Sequence, residues 1–207
     1  MRAGIFLAVL AILGTAKSAH ADKPAPPLTY QQPTPDGKYL FVMNSPFPLE
    51  TELKIYPEKT RIKLQSTREK YPKSGLYKND GSNEPIWTVD WYARRVTLSS
   101  DGVHLVRHGP WPQLEGKVKD KNRSITPKDL KQEAISFFAK GKLLRQYSIG
   151  ELVLQPNQLR MSVSHFMWLK NFQLNDGKNQ LEVVTLDGNW ILFDIATAKI
   201  IEQMKVN

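Results

Sequence analysis

Apolar positions in this chain come in short runs or alternate with polar ones, and five Asp-Gly pairs stand among them. These are Asp36-Gly37, Asp80-Gly81, Asp101-Gly102, Asp176-Gly177 and Asp187-Gly188. Glycine takes positive φ without steric cost and Asp bonds its own backbone, so such pairs between apolar runs predict hairpins. The flanking segments fit. Residues 38–43 are strand-like, and 61–65 alternate Ile62 and Leu64 against Lys63. Residues 85–91 alternate strictly, which predicts a strand with Trp87, Val89 and Trp91 on one face and Thr88 and Asp90 on the other. Residues 96–98 and 103–107 flank Asp101-Gly102, while 181–186 and 189–195 flank Asp187-Gly188, with 199–204 closing the last sheet. Helical signals are few. Thr126-Pro127-Lys128-Asp129 offers an N-cap, a proline at the first helical position and an acid at the third, and Ser148-Ile149-Gly150-Glu151 is a capping box for one turn. The pattern predicts an all-β domain over 28–207: irregular antiparallel sheets packed together, with one or two short helices. A small closed β-propeller or a β-sandwich is the alternative.

The N-terminus has a different texture. Arg2 precedes an apolar run over 5–13, and Ala19-His20-Ala21 gives the small-x-small pattern of a signal-peptidase site. The run is shorter than the ~20 apolar residues that span a bilayer. Residues 1–21 therefore read as a cleaved signal peptide and Asp22 as the mature start, with a Pro-rich tether over 22–27. Secretion or a periplasmic address follows, with no transmembrane segment after cleavage. The chain has no cysteine, which excludes disulfides, thiol chemistry and a lipid-modified cysteine. Its net charge is +9, or +7 once Arg2 and Lys17 leave with the leader. An exported basic protein attracts anionic envelope polymers, lipid surfaces or acidic protein partners.

Three segments share an Asp-Gly-x-x-apolar-apolar form: Thr34-Pro35-Asp36-Gly37-Lys38-Tyr39-Leu40-Phe41-Val42, Ser99-Ser100-Asp101-Gly102-Val103-His104-Leu105-Val106, and Leu186-Asp187-Gly188-Asn189-Trp190-Ile191-Leu192-Phe193. The first two resemble the repeat element of TolB-like and WD40-like β-propeller blades. The third, continuing through Asp194-Ile195-Ala196-Thr197-Ala198-Lys199, is similar to the outer hairpin of quinoprotein-type repeats, with Ala198 where that pattern has glycine. The block from Ser74 through Tyr92, with Leu105 to Trp111 after it, resembles a family of exported bacterial proteins of unassigned function. These resemblances imply blade-like hairpins and no particular chemistry. The spacing of the Asp-Gly pairs is uneven, against a blade period of roughly 40 residues, so irregular sheets are expected over a closed ring.

Reactive groups are sparse. His104 and His108 share a strand face and could join His165 as metal ligands, but His108 falls at Gly109-Pro110, where the strand should end. The oxygen-rich loop Lys78-Asn79-Asp80-Gly81-Ser82-Asn83-Glu84 lacks calcium-loop spacing and reads as an Asx-rich turn. Asp90 should pair with Arg94 or Arg95. Trp87, Trp91, Tyr92, Trp111, Phe166, Trp168 and Trp190 read as inter-sheet core, with a stacking groove as the alternative. Lys117, Lys119, Lys121, Arg123, Lys128 and Lys131 form the densest basic run, a possible polyanion contact; without interleaved aromatics it does not suggest nucleic acid. The expectation is a non-catalytic binding module with no cofactor and no catalytic or metal site. The competing expectation is an envelope hydrolase with Asp90, Asp101, His104 and His165 in one cleft.

Overall fold

The computed structural model describes residues 24–114, 124–162 and 164–206, and within these every Asp-Gly pair lies in a connection between adjacent antiparallel strands. Three four-stranded sheets follow one another along the chain, each pairing its strands in sequence order. The first holds β1 (Tyr30–Pro33), β2 (Tyr39–Met43), β3 (Gly75–Lys78) and β4 (Pro85–Thr88). The second holds β5 (Val96–Leu98), β6 (His104–His108), β7 (Glu133–Ala139) and β8 (Lys142–Ser148). After a small pair, β9 (Arg160–Met161) with β10 (Phe166–Met167), the third holds β11 (Leu169–Asn175), β12 (Gln180–Thr185), β13 (Asn189–Asp194) and β14 (Lys199–Lys205).

The second sheet lies between the other two. Leu98, Leu105 and Phe138 pack with Phe41, Leu76 and Trp87 of the first sheet. Val106, Ile135 and Phe137 pack with Leu181, Val183, Ile191 and Phe193 of the third. Covered on both sides, β7 is buried over Ala134, Ile135, Ser136, Phe137 and Phe138 and reads as a continuous apolar run instead of an alternation. Each fully buried large apolar side chain here contributes about 1.5–3 kcal/mol. The third sheet is covered on one side only, so β13 alternates buried with half-buried positions. Lys140 and Gly141 join β7 to β8 with φ of 48° and 77°, the left-handed pair that a two-residue hairpin turn requires. A side chain on Gly141 would meet the Thr88 carbonyl oxygen at 2.3 Å, so this turn abuts the first sheet and needs glycine.

Helix is more extensive than the pattern predicts. Between β2 and β3 run α1 (Leu49–Ile55) and α2 (Glu58–Lys70), and residues 61–65, expected as a strand, are inside α2. Only Leu64 and Thr67 of α2 are buried, three apart on one face, so the Ile62–Leu64 spacing mimics a strand although Ile62 is 69% exposed. Prolines 48 and 57 precede the two helices, with Glu50, Glu52 and Glu58 in the first turns and Lys54, Arg68 and Lys70 in the last, a charge order that favours the helix dipole. The helices are tied to the sheet by a buried carboxylate. Glu52 accepts from Arg68 Nη1 at 3.0 Å, from Thr29 Oγ1 at 2.9 Å and from the Thr29 N–H at 2.5 Å.

The two capping signals hold their places. Thr126 and Asp129 bond reciprocally ahead of a single 3-10 turn, Asp129–Lys131, and Ser148 with Glu151 closes a capping box on α3 (Ile149–Leu152). In the last hairpin, Asp194 Oδ1 accepts from both the N–H and the hydroxyl of Thr197, and Ala198 takes the left-handed conformation at φ 57°. The position that carries glycine in the repeat pattern thus needs left-handed backbone here as well.

Candidate functional site

Three equivalent turns meet at one end of the stack. These are the β1–β2, β5–β6 and β11–β12 connections, the first hairpin of each sheet. The Asp36 N–H donates to Ser100 Oγ at 3.2 Å, and the Ser100 N–H donates to Asp176 Oδ1 at 2.8 Å. In the β5–β6 turn Asp101 caps its own loop, accepting from the N–H groups of Val103 at 2.7 Å and His104 at 2.9 Å and bonding His104 Nδ1 at 2.5 Å. Partial burial acts to raise the Asp101 pKa, but the bonds from His104 and Val103 outweigh it and hold the carboxyl below its ordinary value.

The opposite end of β6 opens into a cleft of about 290 Å³, walled by Pro27, Tyr92, Ala93, Arg94, Gly109 and Pro110. Its floor is Arg107, His108 and Glu133. Arg107 forms a two-pronged pair with Glu133, Nε to Oε1 at 2.9 Å and Nη2 to Oε2 at 2.8 Å, and Ser136 Oγ donates to Oε1 at 2.6 Å. The guanidinium also stands over the rings of Trp91 at 4.9 Å and Phe138 at 5.2 Å. Such a planar fork between acid and aromatics is fixed in orientation. His108 Nε2 lies 3.0 Å from Thr97 Oγ1, and its ring packs 4.0 Å from Phe172 of the third sheet. Burial, reinforced by the nearby Arg95 charge, pushes the His108 pKa down to about 3, so the ring is neutral at physiological pH. Arg94 on the rim reaches the Pro26 carbonyl at 3.4 Å and makes no ion pair among the described residues.

The residues anticipated as an enzymatic cleft fall in three places. Asp101 of the β5–β6 turn pairs with His104, the first residue of β6. Asp90 is exposed after β4, and it makes no ion pair with Arg94 or Arg95 among the described residues. His165 is buried in the β9–β10 hairpin, with Ser162 Oγ at 2.6 Å from its Nδ1 and the Trp111 ring at 4.4 Å. His104, His108 and His165 thus have separate surroundings, and no group of three His, Asp or Glu side chains gathers at metal-holding range among the described residues. Asp80 Oδ1 accepts from the Ser82 N–H inside the β3–β4 connection, where it serves the turn. Of the basic run, Lys128 and Lys131 are exposed, the first at the N-cap of the 3-10 turn and the second at its last residue; Lys117, Lys119, Lys121 and Arg123 lie outside the described residues. The expected signal peptide over 1–21 and its expected cleavage site also lie outside them.

Among the aromatics, Trp87 is 8% exposed and donates from Nε1 to the Gly102 carbonyl at 2.9 Å, joining the first sheet to the β5–β6 turn. Phe166 and Trp168 are buried in the core shared by the second and third sheets. Trp111 is 43% exposed. The strand expected to run to Trp91 ends at Thr88, so Trp91 reaches the core from a loop. The cleft floor was missed because its members sit 26 residues apart on strands paired through register, Arg107 opposite Ser136. A sequence signal existed in Glu133 and Ser136, a polar pair in an otherwise apolar strand. No helix among the described residues is long and apolar enough to cross a membrane. Compared with known proteins, the chain matches no family model and no curated protein.

Proposed function

We propose that this protein is an exported, non-catalytic binding module whose cleft at the end of β6 receives an acidic group of an anionic envelope polymer. The carrying observation is the state of the cleft's charges. Arg107 and Glu133 satisfy each other, His108 is neutral, and Arg94 stands on the rim without an acidic partner among the described residues. Two arginines against one glutamate give the lining one net positive charge at neutral pH. A floor already bonded within itself resists reorganisation, which favours recognition over chemistry. Export rests on residues 1–21, and the basic run over 117–131 would add long-range attraction. Three sequential four-stranded meanders, with equivalent turns bonded to one another, support the blade-like reading of the sheets.

Binding to polyphosphate, with phosphatidylglycerol vesicles in parallel, tests this. Arg94→Gln should weaken polymer binding several-fold, and 1 M salt, where the Debye length is about 3 Å, should remove it. Undiminished binding by Arg94→Gln would sink the role of this cleft, and preference for vesicles would redirect it to a lipid surface. The envelope-hydrolase reading is favoured by one contact, the 2.5 Å pairing of Asp101 with His104. Hydrolysis of chromogenic esters, glycosides or phosphates that disappears in Asp101→Asn would establish it in place of the binding module.

A further inference from the structure

The pairing of Arg107 with Glu133 occupies one edge of a planar fork and leaves another free. Nε–H and one Nη2–H donate to the two carboxylate oxygens, and the rings of Trp91 and Phe138 pack against the guanidinium. The second edge, made by Nη1 and the other Nη2–H, has no hydrogen-bond partner among the described residues. Nη1 is not a buried orphan, since the buried side-chain atoms without a partner among the described residues are Asn44 Oδ1 and Trp91 Nε1. Arg107 keeps 17% of its side chain exposed, and the surface it lines is the cleft at the end of β6. With Glu133 on one edge and aromatic rings against the group, the free edge is the part that meets the cleft.

His108 on the same floor adds a donor. Its Nε2 lies 3.0 Å from Thr97 Oγ1, and that hydroxyl has no other acceptor among the described residues. The hydroxyl therefore donates to Nε2, and the proton of the neutral ring sits on Nδ1. Nδ1 has no partner among the described residues and is not buried. Glu133 stays beside these donors, held by Ser136 Oγ at 2.6 Å as well as by Arg107, and its carboxylate repels negative charge.

Two parallel N–H groups match an oxyanion that offers two oxygens side by side. Resting on the anionic-polymer reading above, we propose that the cleft selects a two-oxygen group with a single negative charge, an in-chain phosphodiester or a uronate carboxylate. Its oxygens accept from the free edge of Arg107 and from His108 Nδ1–H, with Arg94 on the rim. A terminal phosphomonoester is rejected: its second charge meets Glu133, and the lining's one net positive charge neutralises only the first.

The test titrates the full chain at about pH 7.5, where a phosphomonoester with a second pKa of about 6 is mostly dianionic. Dimethyl phosphate, glucuronate, methyl phosphate and neutral methyl glucoside are added at constant ionic strength. NMR follows the Arg107 Nε–H and His108 ring signals, assigned through their loss in Arg107→Lys and His108→Gln. The expected result is a saturable shift with dimethyl phosphate or glucuronate, and about tenfold weaker binding of methyl phosphate despite its larger charge. Glu133→Gln should narrow that gap to about threefold or less by removing the repelling charge. Arg107→Lys keeps the charge but has no fork, so monoanion binding, read on the His108 signal, should fall about tenfold. Should either variant fail to fold, the ranking in the parent protein still decides. Methyl phosphate binding as tightly as the monoanions, a gap unchanged in Glu133→Gln, the same shifts with methyl glucoside, or no saturable shift would each overturn the proposal. Polyphosphate binding that Arg94→Gln weakens, together with any of these results, would sink the monoanion rule alone. Polyphosphate binding indifferent to Arg94→Gln would sink the cleft reading and this inference with it.

Discussion

The two ends of β6 carry histidines four residues apart on one strand face and treat them in opposite ways. At the turn end, His104 bonds a carboxylate that already caps the β5–β6 loop, with side-chain exposures of 17% and 30% for the pair. At the cleft end, His108 has a hydroxyl and an aromatic ring as partners and an arginine nearby, so burial keeps it uncharged. The strand is the same, and the difference comes from what the neighbouring sheets bring. The turn end meets the equivalent turns of the first and third sheets, whereas the cleft end meets the 92–94 segment, the start of β7 and Phe172 of β11. Proximity in sequence fixes which face a side chain shares and leaves its electrostatics open.

The largest expected effect tests how firmly the turn end is anchored. Trp87→Ala should cost roughly 3–5 kcal/mol in chemical denaturation, through lost burial and the lost bond to the Gly102 carbonyl. A cost below about 1 kcal/mol would mean that the turn holds without its plug. At the cleft end the expected lever is pH. The folded pKa of His108, about 3, is below the unfolded value of about 6.5, so the unfolded chain binds more protons between them. The stability conferred by the neutral ring is complete above pH ~6.5 and falls as pH drops toward 3, by up to about 4 kcal/mol. His108→Gln should flatten the stability profile across that window, and an unchanged slope would show that the ring protonates in place. Asp101 works over a lower range. With its pKa held down, its contribution is present above the ordinary carboxylate value and is lost only as pH falls through the lowered one.

Glu133→Gln sharpens the contrast from the other side. It leaves the Arg107 guanidinium over Trp91 and Phe138 without its counter-charge, and charge-assisted bonds of this kind are worth about 1.5–3 kcal/mol. A melting curve unchanged from the parent would mark the pair as solvent-screened. The smallest expected effect is His104→Gln, within about 0.5 kcal/mol, because partly exposed ion pairs contribute little and Asp101 keeps its bonds from the backbone N–H groups. A loss several times larger would make the turn-end pair a structural element equal to the cleft floor.

Much of the β architecture is written locally. The Asp-Gly turns, the two capping boxes and the β12–β14 hairpins were all legible, because turn geometry and capping depend on residues within three or four positions of each other. Helices α1 and α2 were not, since α2 has only Leu64 and Thr67 to bury and its helical stripe is too thin to override an apparent alternation. The β7–β8 hairpin was equally hidden: β7 is covered on both faces and loses the period-two signal, and Lys140-Gly141 is a weak turn word.

What the sequence by itself determined is where the chain turns and which short segments extend, along with charge, the absence of cysteine and the pattern of a leader. Tertiary structure alone decided that the second sheet sits between two others, and so which of its faces are dry. It brought Arg107 to Glu133 across 26 residues, set a neutral His108 four residues from the His104–Asp101 pair, and left Asn44 Oδ1 and Trp91 Nε1 buried without a hydrogen-bond partner among the described residues. The reason is physical. Backbone preferences act over one turn of chain, while burial, pKa and hydrogen-bond satisfaction depend on which distant segments exclude water from the same place.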